Sequence, residues 1–353
     1  MNAAGWQALI AAEIMPLNAT ALPCEFSERS YMKRDVTRRS ALAIFAGLAL
    51  PVVPGRADEP TSVRMAYDIP IWTLPFFVAT DRKLWAANGI SSIYLPGPSG
   101  MSNLIAASGG ATDLGVAGEI SVAIAGLSRV SARVIACFNE VENMELACIR
   151  SISKPADLVG KRIAIAQGTP SHYYVSLLAK KYGINPAQIS LVRLGPAEMI
   201  AALLGGSVDG FVWQEPFLSK AVAADPTRFH RLAEAGLVTT NAVLVAGDAA
   251  IRDKRPALIS ALRSLDQANK LIAAEPSESV RIGSQYSKMD SSDTAAAIKP
   301  MKIGLTLNVP ELSSKLAEQA RWAIAEGVAR SDAVVPDYSR FLDPTLLQEM
   351  RQG

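Results

Sequence analysis

The sequence predicts an α/β protein with two Rossmann-like lobes, each built on a mixed, mostly parallel sheet, and joined by two crossing strands. Short apolar segments alternate with helical patterns along most of the chain, which is typical of parallel sheets covered by helices. A strand-helix-strand pattern also occurs twice. From Pro256 onward the pattern is mainly helical, as expected of a tail that packs on one lobe and ties the two together.

The repeated pattern lies in segments 97–113 and 195–209. Each begins with Gly-Pro, continues into a helix with Met three residues after the proline, and ends with Gly-Gly-x-x-Asp before a strand. Gly is common at helix ends, so chance reuse of cap residues is an alternative explanation. Two similar lobes explain the shared order more simply.

The elements of the first lobe follow in order from residue 63. Strands are predicted at 63–67, 93–95, 114–116 and 134–136, and a helix is predicted at 75–87 because Gly89 is a suitable C-terminal stop. Segments 138–149 and 238–246 are interpreted as the two crossing strands. The first lobe is therefore expected to be discontinuous, with residues 58–145 and 243–353, and the second lobe to contain residues 146–242.

The second lobe begins with a strand at 162–166, followed by a helix at 171–181 and a strand at 191–193. Further helices are predicted in the tail at 258–273, near 295–305 and at 312–329. Each has apolar residues at helical spacing.

Residues 1–57 are interpreted as an N-terminal extension plus an export signal, with Met32 as the expected true start. A basic run ends at Arg38-Arg39 and precedes an apolar segment at 41–53, which is shorter than the about 20 residues of a bilayer helix. Small residues before and at Ala57 predict cleavage after that position. The arginine pair favours twin-arginine export to the periplasm, and general secretion is the alternative.

Composition excludes several classes of protein. The chain has a net charge of +2, and residues 58–353 contain 29 basic and 29 acidic residues, so no basic surplus favours nucleic acid or an anionic membrane. The chain has two histidines and no Cys/His cluster, so neither a metal site nor a cofactor is predicted. Cys137 and Cys148 either pair as a disulfide or stay as buried thiols. We expect a monomer after export.

Three segments together resemble a known family. They are 157–169 (Asp-Leu-Val-Gly-Lys, a strand, Gly-Thr), 205–216 (Gly-Gly-Ser-Val-Asp-Gly and Trp-Gln-Glu-Pro) and 74–79 (Leu-Pro-Phe-Phe-Val-Ala). This set resembles the solute-binding proteins for nitrate, sulfonates, taurine and thiamine-pyrimidine precursors. The resemblance implies the type 2 periplasmic binding fold, a ligand between the lobes, and an ABC permease and ATPase as separate partner chains. The Cys-rich pentapeptide of fungal relatives that make the pyrimidine is absent.

Candidate ligand-binding residues follow from the rule that open α/β sheets bind ligands beyond the carboxyl ends of their strands. Helices that begin there direct N–H groups at the ligand. Trp72 and Trp213 are candidate stacking walls, with plain packing as the alternative, and Thr169 and Ser171 are also suitable helix caps. The complete candidate set is Asp68, Trp72, Ser99, Gly118, Glu119, Asn139, Gly168, Thr169, Ser171, His172, Tyr173, Trp213 and Glu215.

The charge of these loops bears on the ligand. They contain Asp68, Glu119 and Glu215, with Glu140, Glu142 and Glu145 near the crossing, and no Lys or Arg. This balance favours a neutral or cationic nitrogen heterocycle, such as an aminopyrimidine, over an anion such as a sulfonate, taurine or nitrate. Both kinds of ligand remain open.

Two other functions compete with solute import. A sensory module would use the same cleft to signal to a membrane partner, and the sequence does not separate the two. An enzyme is not expected, because the chain has no G-x-S-x-G motif, no metal set, no phosphate loop with a lysine and no dinucleotide fingerprint.

Overall fold

The computed structural model describes residues 60–353, except residues 69, 98, 129, 131 and 143. The predicted export signal, the start at Met32, the arginine pair and the cleavage after Ala57 lie outside the described residues. Within the described part of the chain, no helix has the length and apolar character needed to span a membrane.

Strands and helices alternate as predicted for most of the chain. The strands are β1 (Thr61–Tyr67), β2 (Ile90–Pro96), β3 (Leu114–Gly118), β4 (Arg133–Val141), β5 (Glu145–Ile149), β6 (Arg162–Ile165), β7 (Ser190–Arg193), β8 (Gly210–Trp213), β9 (Phe229–Leu232), β10 (Thr240–Ala246) and β11 (Met301–Thr306).

The α-helices cover the faces of the sheets and form the tail. They are α1 (Leu74–Asp81), α2 (Leu84–Ala87), α3 (Gly100–Ser108), α4 (Glu119–Leu127), α5 (Pro170–Lys181), α6 (Pro196–Leu204), α7 (Phe217–Ala224), α8 (Asp248–Asp253), α9 (Arg255–Ala274), α10 (Pro276–Ser287), α11 (Ser291–Ile298), α12 (Val309–Ala325) and α13 (Thr345–Gln352).

The strands form two sheets with matching topology, which confirms the predicted α/β class. The six-stranded sheet has the order β11-β4-β10-β3-β1-β2, and the five-stranded sheet has the order β7-β6-β8-β5-β9. In each sheet three strands run parallel, with the first in sequence between the second and third. An antiparallel strand, β10 or β5, follows beside the third. Both sheets are therefore mixed.

The sequence repeat corresponds to an equivalent contact in each sheet. Asp113 accepts hydrogen bonds from Arg64 N at 2.8 Å and from Arg64 Nη2 at 2.9 Å. Asp209 accepts the same bonds from Arg162 N and Nη2, both at 2.8 Å. Each Asp stands just before the third parallel strand and is bonded to the first, so its charge-assisted bonds hold the two strands in register.

The chain changes sheets at residues 142–144 and again at 233–239, between β9 and β10. The predicted crossing segment 138–149 is thus two strands, one in each sheet. The lobe boundaries expected at 145/146 and 242/243 stay a prediction. The first lobe is the part of the chain built on the six-stranded sheet, and the second lobe is the part built on the five-stranded sheet.

Apolar side chains pack on both faces of each sheet. Phe76, Phe138 and Leu262 belong to the cluster on one face of the six-stranded sheet, and Leu104 and Leu316 to the cluster on the other. The five-stranded sheet is covered by α5 on one face and by α6 and α7 on the other. Two covered faces explain why its three central strands, β5, β6 and β8, show continuous apolar runs instead of alternation.

Two predicted helices differ from the structure. The helix expected at 75–87 is interrupted, because Lys83 adopts a left-handed conformation with φ of 56° between α1 and α2. The helix expected near 295–305 ends at Ile298, and the following residues form β11, which pairs antiparallel with β4. The side chains of β11 are mostly half-buried. Because three Ala residues precede the strand in this segment, the composition of the segment as a whole favoured a helix.

Cys137 and Cys148 are free and buried, so the disulfide alternative is wrong for this structure. Cys137 lies on β4 and Cys148 on β5, in different sheets. Burial raises the pKa of the Cys148 thiol to about 12. Both side chains behave as small core residues.

Candidate functional site

A cavity of about 480 Å³ lies where the carboxyl ends of the strands in the two sheets face each other. The first lobe contributes loops after β1, β2 and β3, and the second contributes loops after β6, β7 and β8. The lining residues are Asp68, Trp72, Ser99, Gly100, Met101, Gly118, Ile120, Ser121, Ile124, Met144, Ala166, Gln167, Gly168, Thr169, Pro170, Pro196, Trp213, Gln214, Thr240 and Val328.

Four helices begin at this cavity. Ser99 caps α3 by accepting a hydrogen bond from Ser102 N, and Thr169 caps α5 by accepting one from Ser171 N, both at 3.3 Å. Gly118 caps α4 without a side chain. Pro196 is the first residue of α6. The first-turn N–H groups of a helix that lack partners, together with the helix dipole, favour a negatively charged group, and α3 and α4 offer such groups here. Helices α5 and α6 begin with Pro170 and Pro196, which have no N–H, and the N–H groups of Ser171 and His172 are bonded to Thr169, so these two starts contribute mainly through the helix dipole.

Backbone conformation allows a close approach of the chain at two of these starts. Gly168 has φ of +72°, a region that side chains disfavour, and it directs the chain from β6 into α5. At Gly100 a Cβ atom would lie 3.0 Å from Ala117 Cα, so the start of α3 packs directly on β3. Glycine at both positions brings main-chain atoms to the cavity wall.

Apolar side chains form the remaining walls. Trp72 follows β1, Trp213 ends β8, and Met101, Met144 and Ile124 lie between them in the lining. Trp72 is buried and its Nε1 has no hydrogen-bond partner. Such walls suit a ligand with an apolar body, and most ligand pockets combine apolar walls with a few polar groups in this way.

Asp68 is the single ionisable side chain among the described lining residues. Its Oδ1 is inaccessible to solvent and has no hydrogen-bond partner. Burial raises the pKa of Asp68 to about 6, because the charged form loses hydration without gaining a cation.

Seven of the predicted ligand-binding residues line the cavity, and their role as ligand contacts stays a prediction. They are Asp68, Trp72, Ser99, Gly118, Gly168, Thr169 and Trp213.

Glu119 is placed differently from the prediction. Although it begins α4, its carboxylate turns away from the cavity and is buried between β10 and α12. It accepts a hydrogen bond from Asn241 N at 2.6 Å and from Gln319 Nε2 at 3.0 Å, and Lys315 Nζ lies 3.0 Å away. These partners use its acceptor sites, so Glu119 joins elements of the first lobe.

Glu215 also has structural partners instead of facing the cavity. Its carboxylate accepts a hydrogen bond from Ser219 Oγ at 2.8 Å and forms an ion pair with Arg231 at 2.5 Å. Arg231 pairs with Glu145 at 2.7 Å as well. One arginine on β9 therefore neutralises two acids that the sequence placed near the ligand.

Most of the acids that were expected to disfavour an anionic ligand have partners outside the cavity. Glu140 pairs with Lys302 at 2.6 Å, and Glu142 accepts a hydrogen bond from Gly236 N at 3.0 Å. Of the six acids expected to make the cleft negative, only Asp68 lines the cavity.

Four further candidates lie behind the cavity wall. Asn139 donates a hydrogen bond to the carbonyl of Trp72 at 2.9 Å, and Ser171 accepts one from Ala166 N at 3.1 Å. His172 and Tyr173 pack edge-on against Trp322, each with ring centroids 5.0 Å apart. Burial lowers the pKa of His172. These side chains position the wall and do not enter the lining.

Several lining residues carried no signal in the sequence. Val328 follows α12 and reaches Gly168, where a Cβ atom would lie 3.1 Å from its Cγ1. Met144 and Thr240 line the cavity at the two points where the chain changes sheets. Val328 reaches the site because the C-terminal tail packs there, and Met144 and Thr240 reach it because the chain passes from one sheet to the other at these points. Ile120 and Ile124 follow from the helical spacing of α4.

The described residues contain no group of three or more His, Cys, Asp or Glu side chains arranged to hold a metal ion. Within the lining, Asp68 has no second acid or base as a partner. The arrangement is equipped to bind a small molecule through main-chain donors and apolar walls.

Comparison with known proteins agrees with this geometry. Residues 72–279 match the model of the family described as NMT1/THI5 like. The taurine-binding periplasmic protein of Escherichia coli is 36% identical over 117 residues, and this match covers 33% of the chain and 37% of that relative.

Solved structures show the same fold at low identity. The alkanesulfonate-binding protein SsuA from Xanthomonas axonopodis pv. citri, bound to MOPS, has a TM-score of 0.69 and 20% identity, over 81% of this chain and 99% of that one. The nitrate-binding protein NrtA from Synechocystis PCC 6803 has a TM-score of 0.66 and 14% identity, over 83% and 89% of the two chains.

Proposed function

Because the chain belongs to the NMT1/THI5-like family, we propose that it is the periplasmic solute-binding component of an ABC importer for a small sulfonate. The ligand lies in the cavity between the two lobes. An ABC permease and an ATPase are separate partner chains. The taurine-binding and alkanesulfonate-binding relatives support this proposal. The arginine pair at Arg38-Arg39 supports export by the twin-arginine route.

The single observation that carries the sulfonate proposal is the meeting of four helix starts at a cavity whose described lining contains no Lys, Arg or His. Fixed main-chain donors at the starts of α3 and α4 can replace the hydration of an anion there without a buried cation, and the dipoles of α5 and α6 add to the favourable potential. Ser99 and Ser121 add hydroxyl groups at the starts of α3 and α4, whereas the Thr169 hydroxyl donates its proton to the carbonyl of Ala166 at 2.7 Å. A sulfonate presents three oxygens, so it can accept bonds from more than one helix.

The apolar walls and the volume favour a ligand with a carbon body over a small inorganic anion. A water molecule takes about 30 Å³ in the liquid, and nitrate, an ion of four atoms, has a volume of the same order. A cavity of about 480 Å³ would remain mostly unfilled around nitrate. Trp72, Trp213 and Met101 offer contact area for an alkyl or aryl group.

Nitrogen heterocycles remain the alternative ligand class, and one observation favours them. Asp68 lines the cavity, its buried Oδ1 has no hydrogen-bond partner, and its carboxylate would accept a hydrogen bond from a ring or amino nitrogen. Catalysis has less support, because the lining contains no second ionisable group beside Asp68 among the described residues. A signalling role would use the same cavity and differs only in the partner chain.

A thermal-shift screen of the protein, unfolded and refolded to remove carried ligand, tests the proposal. Ligand at about 100 times its dissociation constant adds about 2.7 kcal/mol to the free energy of unfolding, which raises the melting temperature by several degrees. The panel compares alkyl- and arylsulfonates and taurine with nitrate, aminopyrimidines and amidines. Stabilisation by sulfonates supports the proposal, and stabilisation by the nitrogen heterocycles alone overturns it.

A further inference from the structure

Asp68 is an unpaired acid in a cavity whose other features favour an anion. It follows β1 directly, at the carboxyl end of the strand, and its main-chain carbonyl accepts a bond from Thr73 Oγ1 at 3.4 Å. No cation of the described chain pairs with its carboxylate, and Oδ1 is buried without a partner. An ionised carboxylate in such surroundings costs free energy unless a ligand supplies a donor or a positive charge.

The groups around Asp68 do not supply that charge. Tyr67 precedes it on β1, and Tyr94 faces it from β2, with the two phenol rings 4.5 Å apart. Burial and the nearby carboxylate raise the pKa of Tyr94, and burial raises the pKa of Tyr67. Both phenols are therefore neutral at pH 5 to 8. Asp68 is the group in this corner that titrates near neutral pH.

We propose that Asp68 forms a subsite for a protonated nitrogen, so that the ligand is a sulfonate that also carries an amino group. This inference rests on the proposed function, because it assigns the sulfonate to the helix starts and adds the nitrogen at Asp68. Trp72 and Trp213 in the same lining are consistent with it, since a cation is attracted to the faces of aromatic rings. The single carboxylate also balances the charge of the single ammonium.

The pH dependence of binding has opposite signs for the two kinds of sulfonate. An ammonium group binds the ionised form of Asp68, so affinity falls as pH drops through about 6, where the carboxyl takes up a proton. An alkyl group in the same place favours the protonated carboxyl, so the affinity of a simple alkanesulfonate stays constant or rises over that interval.

The test uses two ligands of equal length, 2-aminoethanesulfonate (taurine) and propane-1-sulfonate, which differ by an ammonium in place of a methyl group. Tryptophan fluorescence titrations of the wild-type protein, Asp68→Asn and the control Asp332→Asn are made at pH 7.5 and pH 5.0. Asp332 is exposed and pairs with Arg330, so its substitution leaves the cavity unchanged. A second pair, 2-(cyclohexylamino)ethanesulfonate and 3-cyclohexylpropane-1-sulfonate, repeats the comparison with a larger body.

At pH 7.5 we expect wild type and Asp332→Asn to bind the amino ligand of a pair at least about tenfold tighter than its partner. Asp68→Asn should lose this preference and still bind the alkyl ligand, which also shows that the variant is folded. Wild-type affinity for the amino ligand should fall at pH 5.0.

The contrary results are distinguishable from failure of the proposed function. Equal affinity for both members of each pair, or a preference that survives in Asp68→Asn, would overturn the Asp68 subsite alone. Tighter binding of the amino ligand at pH 5.0 than at pH 7.5 would also overturn it, even if the variant failed to fold. Binding of no sulfonate from either pair would contradict the proposed function itself.

Discussion

Glu119 joins three parts of the first lobe through one buried carboxylate. Its oxygens contact the main chain of β10 at Asn241 and the side chains of Gln319 and Lys315 on α12. Removal of one charge from a buried ion pair leaves the other without its counter-charge, which destabilises the fold. Without the charge of Glu119, Lys315 would keep only its bond to the carbonyl of Thr239. Its contribution is therefore to the stability of the lobe.

Glu119→Gln should lower the free energy of unfolding by about 1–3 kcal/mol and change ligand affinity by less than about twofold. The amide keeps an acceptor for Asn241 N but removes the charge beside Lys315. Urea unfolding and ligand titration of the same preparation measure the two effects. Glu318→Gln, an exposed neighbour on α12, is the control and should change neither quantity. A large loss of affinity at unchanged stability would restore Glu119 as a ligand contact.

Trp213→Ala should weaken ligand binding by about ten- to a hundredfold, because a tryptophan that lines a cavity contributes a large contact area. Calorimetric titration measures the loss. Trp85→Phe is the matched control, since Trp85 is buried in the first lobe away from the cavity and bonds Thr80 Oγ1 at 3.0 Å. Equal losses in both variants would mean that the effect of Trp213 is on folding and not on the ligand.

Asp68→Asn should stabilise the ligand-free protein at pH 7.5 by about 1–3 kcal/mol. The folded-state pKa of Asp68 is raised to about 6, so the ionised carboxylate destabilises the folded state above that pH. The penalty is absent below the unfolded value of about 3.9, and the difference between variant and wild type should therefore vanish near pH 4. Denaturant unfolding at pH 7.5, 5.5 and 4 checks this, and a variant that is less stable at pH 7.5 would contradict it.

Residue placement could be predicted from the sequence only where the strand end itself fixes it. Asp68, Trp72 and Gly168 follow their strands so closely that the sheet topology brings them to the cavity. Glu119 and Glu215 also follow the ends of strands, but their carboxylates form ion pairs with Lys315 and Arg231. Those partners are distant in the sequence, and nothing local indicated them.

The C-terminal half of α12 connects the two lobes. Its first turns pack in the first-lobe cluster with Leu312 and Leu316, while Trp322 packs in the second-lobe cluster. Glu326, just after the helix, accepts a bond from Ser176 Oγ at 3.3 Å on α5. This one helix therefore holds α5, whose start lines the cavity, against the first lobe.

Trp322→Ala should separate the lobes and weaken ligand binding by about tenfold. The indole contacts His172 and Tyr173 edge-on, and alanine removes both contacts. Small-angle scattering should give a larger radius of gyration for the ligand-free variant than for the wild type. Trp322→Phe keeps an aromatic ring at this position and should behave nearly as the wild type. Unchanged scattering and affinity in Trp322→Ala would show that α12 does not hold the lobes together.

At the scale of elements, periodicity predicted the long helices of the tail well and the short segment between them less well. The helix predicted at 258–273 corresponds to α9, whose apolar residues face the first-lobe core. Segment 295–305 has the same kind of composition but divides between α11 and β11. Strand β11 depends on pairing with β4, a long-range contact that a local pattern does not contain.

The whole molecule repeats one arrangement in its two sheets, and the site lies where the two copies face each other. The strand orders, the crossing strands and the bonds of Asp113 and Asp209 correspond between the lobes. Duplication of the strand-helix unit also duplicates the helix starts, so two starts from each lobe line the cavity. A ligand that contacts both pairs favours the arrangement in which the lobes are close.

Calorimetric titration of the ligand-free protein with propane-1-sulfonate and butane-1-sulfonate tests most directly whether the cavity binds a sulfonate. We expect one site per chain, a dissociation constant below about 100 µM, and a negative heat-capacity change that grows with the alkyl chain as apolar walls lose water. Absence of binding at millimolar concentrations of both ligands, or binding that Trp213→Ala leaves unchanged, would contradict the assignment of the sulfonate to this cavity.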